Sequence, residues 1–191
     1  KGFIKGAFSQ YLSPTVIDQI VENPDMLQLG GEKREMTPFF SDIQGFSTIS
    51  EGLTPEELVQ LLNEYLTAMC DLISSYHGTI DKFEGDAIIA FWGAPLELPN
   101  HATVACHAAI DMQKKNEEMR KMLREQNRPM LYTRMGMSSG PVVVGNMGSA
   151  DRMDYTMMGD VVNLAARLEG VNKFYQTFTM ISQSTYELAK D

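Results

Sequence analysis

FFSDIQGFS, residues 39–47, is the stretch of sequence that decides the predicted fold. Phe39 and Phe40 have the character of a buried strand end, and an acid, Asp42, follows them, then a glycine and a helical pattern. This order predicts a strand that ends beside a carboxylate and turns directly into a helix. An acid at that position is either a turn residue or a ligand, depending on whether a second acid lies nearby.

A second acid, Asp86, begins a hydrophobic strand directly after a Glu84-Gly85 turn. If the two strands are neighbours, both carboxylates meet at one edge of the sheet, where a cation would relieve their repulsion. Ligands that are all oxygen favour a hard ion such as Mg²⁺ or Mn²⁺. The spacing is equally compatible with a helix-start residue at Asp42 and a hairpin-turn residue at Asp86.

Hydrophobic periodicity predicts helices interleaved with antiparallel strands. A capping box at Thr54 and Glu57 opens a long helix that Gly78 ends, and a second long helix follows Asn100. The predicted strands are MTPFFSD (36–42), TIDKF (79–83), DAIIAFW (86–92), LYTRMGMSSG (131–140), PVVVGNMG (141–148) and FTMIS (178–182). The order predicts an α+β fold, a sheet with helices packed on one face.

Two hairpins are expected, one joining 79–83 to 86–92 and one joining 131–140 to 141–148. LGGEKRE, residues 29–35, is interpreted as a turn. Pro38 is expected at an edge or at the first residue of its strand, because proline lacks a backbone donor.

The N-terminal part and the histidines carry simpler predictions. SPTVIDQIVENP, residues 13–24, is predicted as a short helix that Ser13 caps and Pro24 ends. His101 and His107 lack a Cys or an acid at metal-ligand spacing, so a structural role is expected for both. His77, beside Gly78, is expected to be a terminal helix residue.

Length and composition restrict the class of protein. The 191 residues fit one domain, and 16 Lys and Arg against 25 Asp and Glu give a net charge of −9. That charge argues against a nucleic-acid or anionic membrane surface. Cys70 and Cys106 both lie in helical segments, which indicates a reduced, cytosolic compartment. No apolar run reaches the ~18 residues needed to span a bilayer.

Three motifs occur in one order: FFSDIQGFSTISE (39–51), DKFEGDAIIAFWGAP (81–95) and DYTMMGDVVNLAARLEG (154–170). Together they resemble the catalytic domain of class III nucleotidyl cyclases, in particular bacterial adenylate cyclases. The resemblance covers about residues 32–189. It implies a ferredoxin-like, palm-type antiparallel sheet with helices packed on one face.

The segment before this domain also resembles a known arrangement. Residues 1–31 are expected to be a lead-in helix and linker from an upstream sensor, and residues 32–191 the cyclase domain. The sequence begins without Met, which suggests a piece of a longer protein. A cytoplasmic catalytic domain is expected, and anchoring of the full-length protein in a membrane through upstream regions is compatible with it.

The resemblance implies metal-binding and phosphate-binding residues. Asp42 and Asp86 match the two metal-binding aspartates, and Ile43 matches the residue whose backbone carbonyl helps to bind a metal. Two Mg²⁺ or Mn²⁺ ions per active site are therefore implied. Phe46 and Ser47 begin a helix whose free N–H groups are expected to face phosphate oxygens.

It also implies residues for the base, the ribose and the reacting phosphate. Lys82 and Thr156 match the pair that reads the purine, and Asn163 matches the residue that orients the ribose. Arg167 matches the arginine that stabilises the transition state, and Arg152 is a looser match to a second phosphate-binding arginine.

The spacing of two of these residues agrees with their implied roles. Asn163 and Arg167 are four apart on a predicted helix and project from the same face. A guanidinium with five donors suits a phosphoryl group that gains charge. The alternative for Arg167 is a surface ion pair with Glu169 or another neighbour.

The residues that match the base-reading pair favour ATP over GTP. A lysine only donates hydrogen bonds, and adenine presents acceptors at N1 and N3, whereas guanine has a protonated N1. Guanylate cyclases that resemble this chain typically carry Glu and Cys where it has Lys82 and Thr156. Thr156 can accept a hydrogen bond from the adenine amino group.

The resemblance implies a homodimer that forms cyclic AMP at two clefts shared between subunits. One subunit would bring Asp42 and Asp86 to a cleft, and the other Lys82, Thr156, Asn163 and Arg167. The family usually has a further lysine on a strand beyond the last predicted helix, and the sequence reaches Asp191 before such a strand. Lys190 is in the wrong context to replace it.

Other functions remain as alternatives: a guanylate cyclase, or an inactive nucleotide-binding or dimerisation module. The two aspartates with Asn163 and Arg167 argue against the inactive module. A palm-type polymerase or diguanylate cyclase shares the metal chemistry, but the sequence has no GG[DE]EF run.

Overall fold

The computed structural model describes residues 14–27 and 29–191. The α-helices of these residues are α1 (Pro14–Glu22), α2 (Phe46–Glu51), α3 (Pro55–Ser75), α4 (His101–Glu125), α5 (Asp160–Tyr175) and α6 (Gln183–Ala189). The strands are β1 (Gly30–Ile43), β2 (Thr79–Glu84), β3 (Ala87–Trp92), β4 (Thr133–Met137), β5 (Gly140–Gly148), β6 (Met153–Met158) and β7 (Thr179–Ile181).

The long strand β1 organises the sheet. Its second half pairs antiparallel with β3 on one side and β4 on the other, and its first half pairs antiparallel with β5. β2 continues the sheet beyond β3, β6 pairs with β5, and β7 runs parallel to β4. The predicted α+β fold with a largely antiparallel sheet is confirmed.

The interpretation of residues 29–35 as a turn was wrong. Residues 30–35 form the exposed first part of β1 and pair with β5. The glycines and charged residues of this stretch carry no alternating apolar pattern, so the sequence gives no strand signal there. The strand exists because β5 supplies its hydrogen-bonding partner.

The second predicted hairpin, 131–140 with 141–148, was also wrong. β4 and β5 do not pair with each other; both pair with β1, and the register of β4 continues unchanged into β5. β4 and β5 therefore run in the same direction along β1. Ser138 and Ser139 interrupt the hydrogen bonding to β1, but the chain does not reverse there.

Pro38 lies opposite this interruption, in the middle of β1 rather than at an edge or a first residue. Its carbonyl accepts a 3.3 Å hydrogen bond from the Ser138 N–H. The nitrogen and the carbonyl oxygen of a strand residue point toward the same neighbouring strand. The Pro38 nitrogen, which carries no hydrogen, therefore faces the gap between β4 and β5, where no backbone hydrogen bond from it is needed. This break accommodates proline inside a sheet.

The two long helices cover one face of the sheet, as predicted. The helical stripe of α3 supplies Leu61, Tyr65, Met69 and Ile73 to a buried cluster that also contains Phe39 of β1. The predicted capping box is present, with both Thr54 and Glu57 hydrogen bonds formed. The helix signals in the sequence and the packing therefore agree.

α3 ends differently from the prediction. Its left-handed residue is His77, with φ 64°, one position before the predicted stop at Gly78. A side chain at Gly78 would collide with the Trp92 ring at 2.8 Å. Gly78 is thus needed for space and not for its backbone conformation.

The β5–β6 pair folds back over the other face of β3. The rings of Phe91 on β3 and Tyr155 on β6 lie 6.1 Å apart, within a second buried cluster that also contains Val142, Val144 and Met157. α5 crosses β4 closely at Gly136, where an added side chain would overlap the backbone of Ala165 and Glu169. This curl brings β6 near β2.

The remaining predictions concern α1 and the histidines. α1 buries Val16 and Ile17, whereas Val21 is exposed. The predicted cap Ser13 lies outside the described residues. Nδ1 of the buried His101 lies 2.7 Å from the Thr37 hydroxyl, and this hydrogen bond gives His101 a structural role.

None of the helices within residues 14–27 and 29–191 is long and apolar enough to cross a membrane.

Candidate active site

Asp42 and Asp86 meet at one edge of the sheet. Asp42 is the penultimate residue of β1, and the next backbone N–H, that of Ile43, donates a 2.7 Å hydrogen bond to Oδ2 of Asp86. Asp86 reaches this position because the β2–β3 turn contains Gly85 in the left-handed region, with φ 61°. The structure thus brings together the two carboxylates that the sequence placed on separate strands.

The chemistry of this edge fits a hard divalent cation. Oδ1 of Asp42 is buried and has no hydrogen-bond partner among the described residues. Those residues contain no group of three or more His, Cys, Asp or Glu side chains in metal-binding geometry. Mg²⁺ typically binds through one or two carboxylates and completes its shell with water and substrate phosphates, so two aspartates suffice.

Glu169 is a third acid at this edge, and the sequence argument did not assign it there. It lies beside Asp42, on α5. Burial raises the pKa of Glu169 to about 8, and the adjacent Asp42 carboxylate adds to the shift, while Arg134 opposes it. A carboxyl that keeps its proton can donate to Asp42, so the pair need not carry two negative charges.

Glu169 was considered in the sequence only as an ion-pair partner of Arg167. Residues two apart on a helix do not face each other, so the spacing already disfavoured that pair. Arg167 is exposed and forms no ion pair with any residue in 14–27 or 29–191. Asn163, one turn earlier on α5, is exposed as well.

Lys82 and Thr156 are brought together by a residue between them that the sequence argument missed. The Thr156 hydroxyl donates a 2.5 Å hydrogen bond to Oδ2 of Asp81, and Oδ1 of Asp81 lies 4.0 Å from Nζ of Lys82. Thr156 is on β6 and Lys82 on β2, so the curl of the sheet creates this group. Asp81 directly precedes Lys82, but no local pattern relates it to Thr156.

The weaker candidates lie on turns near these elements. Arg152 is an exposed residue of the β5–β6 turn, where its backbone pairs with Ser149. Phe46 and Ser47 begin α2 after Gly45; Phe46 packs partly against the core and Ser47 is exposed. Their phosphate contacts remain predictions.

Within the described part of the chain, no hydrogen bond or ion pair links Lys82, Thr156, Asn163 or Arg167 to Asp42 or Asp86. The chain therefore presents an acidic edge, a candidate base-reading group formed by Lys82, Asp81 and Thr156, and the exposed Asn163 and Arg167 on α5.

Residues 31–191 match the family model described as the adenylate and guanylate cyclase catalytic domain. The chain belongs to this family. Cyclase domains of this family use divalent metal ions. The unpartnered Asp42 oxygen at the acidic edge agrees with that requirement.

A curated relative supports the assignment. Adenylate cyclase 1 of Rhizobium meliloti (strain 1021) is 36% identical over 184 residues, which are 96% of this chain and 28% of that protein. The chain thus spans less than a third of that relative's length.

Solved cyclase structures confirm the fold. The adenylyl cyclase CyaB from P. aeruginosa matches with 41% identity and a TM-score of 0.78, covering 85% of this chain and 84% of that one. The guanylyl cyclase Cya2 matches almost equally, with 39% identity and a TM-score of 0.78 over 85% and 82%. Overall similarity therefore does not distinguish between the two substrates, and individual residues must.

A further structural neighbour bears on assembly. The guanylyl cyclase domain of a fusion protein from the aquatic fungus Blastocladiella emersonii is described as a non-canonical dimer. It is 29% identical, has a TM-score of 0.69, and the match covers 83% of this chain and 85% of that one.

Proposed function

We propose that this cyclase domain converts ATP to 3′,5′-cyclic AMP and pyrophosphate. The observation that carries the proposal is the hydrogen bond from Ile43 to Asp86, which fixes two carboxylates at one sheet edge. Two divalent cations held there by Asp42, Asp86 and the Ile43 carbonyl would acidify the attacking hydroxyl and neutralise phosphate charge.

The proposed reaction is an in-line displacement without a covalent enzyme intermediate. The ribose 3′-oxygen loses its proton and forms a bond to the α-phosphorus, and the bond from that phosphorus to the bridging oxygen breaks. Pyrophosphate leaves with the electron pair. Positioning and charge stabilisation supply most of the acceleration in such transfers.

Asn163 and Arg167 are proposed to act on the ribose and the reacting phosphate. Both lie exposed on α5 four residues apart, so they present one polar face. Asn163 would hold the ribose so that its 3′-oxygen is in line, and Arg167 would donate to the phosphoryl oxygens as charge builds up. Arg152, Phe46 and Ser47 are further candidates for phosphate contacts.

The choice of ATP over GTP rests on Lys82 and Thr156. Lys82 can only donate, which suits the N1 acceptor of adenine and opposes the protonated N1 of guanine. Thr156 lies next to it through Asp81 and can accept from the adenine amino group. A guanine base would leave these polar groups unpaired, and sites of this kind discriminate strongly.

We further propose that the active site forms between two copies of the chain. One copy would supply the acidic edge with Asp42 and Asp86, and the other Lys82, Thr156, Asn163 and Arg167. The exposure of Asn163 and Arg167, and the lack of any bond from them to the acidic edge within the described residues, support this arrangement. An upstream sensor remains a proposal for the whole protein.

The test is direct conversion of nucleotide. The purified chain, and a longer form if the gene encodes one, is incubated separately with ATP and GTP in Mg²⁺ and in Mn²⁺, and products are resolved by chromatography. We expect cyclic AMP and pyrophosphate in equal amounts, with ATP the better substrate. A preference for GTP would instead establish a guanylate cyclase, and binding without turnover in every form would favour an inactive module.

A further inference from the structure

Asp81 is a nearly inaccessible carboxylate in the base-reading group. Its side chain is 2% exposed, although Lys82 next to it is 44% exposed. The pairing of β2 with β3 shifts register between Ile80 and Lys82, so Asp81 is the extra residue of a β-bulge. Bulges re-aim side chains, and this one directs Asp81 toward Thr156 on β6.

The hydrogen bond to Asp81 fixes the direction in which the proton of the Thr156 hydroxyl points. An ionised carboxylate only accepts, so Thr156 must donate its single proton to Asp81 at 2.5 Å. The lone pairs of the hydroxyl then remain for a ligand. Burial raises the pKa of Asp81, and the charges of Asp154 and Glu84 add to that shift, while the Thr156 hydrogen bond and the Lys82 charge oppose it. In either protonation state, the 2.5 Å contact has the Thr156 hydroxyl as the donor to Oδ2.

Asp81 also retains unused accepting capacity. Its Oδ1 is buried and has no hydrogen-bond partner among the described residues, and Nζ of Lys82 lies 4.0 Å from it. One carboxylate therefore adjoins both residues that are proposed to read the base.

We infer that Asp81 is a positioning residue for base recognition: it holds Thr156 as an obligatory acceptor, which favours a 6-amino purine and rejects a 6-oxo purine. This inference rests on the proposed function. The 6-amino group of adenine donates to the Thr156 lone pairs. A 6-oxo group would place one hydrogen-bond acceptor against another, and neither would have a donor while the base is bound.

Without Asp81, the Thr156 proton is free to point at the ligand. The hydroxyl can then donate to a 6-oxo group as readily as it accepts from a 6-amino group. The loss should therefore appear in the choice between bases more than in overall turnover.

The experiment compares ATP with inosine triphosphate, which carries a 6-oxo group and lacks the 2-amino group of guanine. Lys82 is unchanged in all variants. Its preference between the N1 atoms of the two bases therefore contributes equally to every ratio and does not affect the comparison with wild type. For Asp81→Ala we expect the ratio of kcat/KM for ATP to that for inosine triphosphate to fall about tenfold or more. Asp81→Asn, which keeps the size of the side chain, should lower the ratio less.

Three controls separate positioning from a structural effect. Glu84→Ala removes an exposed acid whose charge raises the pKa of Asp81, so its loss favours the ionised form of Asp81 and should not lower the ratio. Thr156→Ser keeps the hydroxyl beside Asp81 and should keep the wild-type preference. In a Thr156→Val background, Asp81→Ala should have no further effect on the ratio, because the hydroxyl that it orients is gone.

The same ratio is measured by equilibrium binding, as displacement of a fluorescent ATP analogue by each nucleotide in Ca²⁺. An unchanged ratio in folded Asp81→Ala and Asp81→Asn, or an equal shift with and without the Thr156 hydroxyl, overturns the inference alone. If the wild-type protein binds neither nucleotide, the proposed function fails and the inference fails with it.

Discussion

The Ile43 N–H donates to the Asp86 carboxylate at 2.7 Å, tying the end of β1 to the turn between β2 and β3. The donor belongs to the backbone, so the tie does not depend on which side chain occupies position 43. It keeps Asp86 beside Asp42, and the position of this proposed metal-binding pair is thus a property of the sheet itself.

Removing either aspartate should abolish cyclic AMP formation. Asp42→Ala and Asp86→Ala each remove a proposed metal ligand, and we expect turnover to fall at least about a hundredfold. Asp86→Asn is the sharper variant, because its amide oxygen can still accept from Ile43 while the charge is lost. Turnover in Mg²⁺ and Mn²⁺, with Mn²⁺ binding by electron paramagnetic resonance, tests this. Near-normal turnover in a folded variant would contradict the two-metal proposal.

Exchanging the base-reading pair should change the substrate preference. Lys82→Glu with Thr156→Cys replaces a donor by an acceptor opposite N1, so we expect the ATP-to-GTP ratio of kcat/KM to fall at least about tenfold. Melting temperatures and initial rates with both nucleotides provide the measurement. If the folded double variant keeps the wild-type ratio, these positions do not read the base.

Complementation tests whether the site is shared. Asp42→Ala and Arg167→Ala should each be nearly inactive alone, but in a mixture some heterodimers contain one cleft with both defects and one intact cleft. We expect activity to reappear on mixing and to rise with protein concentration. A mixture that stays inactive although subunit exchange is demonstrated would show that each cleft lies within one chain.

Gly136 should be intolerant of any side chain. A methyl group there would overlap the backbone of Glu169 and Ala165, so Gly136→Ala must displace α5. We expect the free energy of unfolding to fall by about 2 kcal/mol or more. Gly170→Ala is the matched control: it lies on the same helix in open space and should raise stability by up to about 1 kcal/mol. Urea denaturation that gives both variants the same stability would contradict this packing.

His101 should make stability depend on pH in the acidic range. Burial lowers the pKa of His101 below 6.5, and the Glu35 charge opposes that shift only partly. The unfolded chain therefore binds the proton first, and the free energy of unfolding should fall as pH drops below about 6.5, by at most about 1.4 kcal/mol per pH unit. His101→Gln should lose this contribution, whereas the exposed His107→Gln should keep it. Identical pH profiles for wild type and His101→Gln would refute the assignment.

Local patterns determined much of the fold. The capping box at Thr54 and the apolar stripe of α3 need only neighbouring residues, and the hairpin around Gly85 is a short-range turn. The convergence of Asp42 and Asp86 was predicted only on the condition that their strands are neighbours, and the pairing of β1 with β3 meets that condition. The helix and the hairpin were predictable because their signals lie within a few residues of one another.

Other features were decided only by the tertiary structure. In the sequence, the break between β4 and β5 resembles a hairpin turn. In the structure both strands continue along β1, and the break lies opposite Pro38, about a hundred residues earlier in the chain. The exposed first part of β1 is a strand because β5 pairs with it.

The site shows the same division. The sequence by itself predicted Asp42, Asp86, Lys82, Thr156 and the helical pair Asn163 and Arg167 as candidate site residues, and these roles stay predictions. It did not reveal Asp81 behind Thr156 or Glu169 beside Asp42, because those contacts join residues 75 or more positions apart. The curl of the sheet and the packing of α5 bring these polar groups together. No local sequence pattern encodes a contact between residues so far apart in the chain.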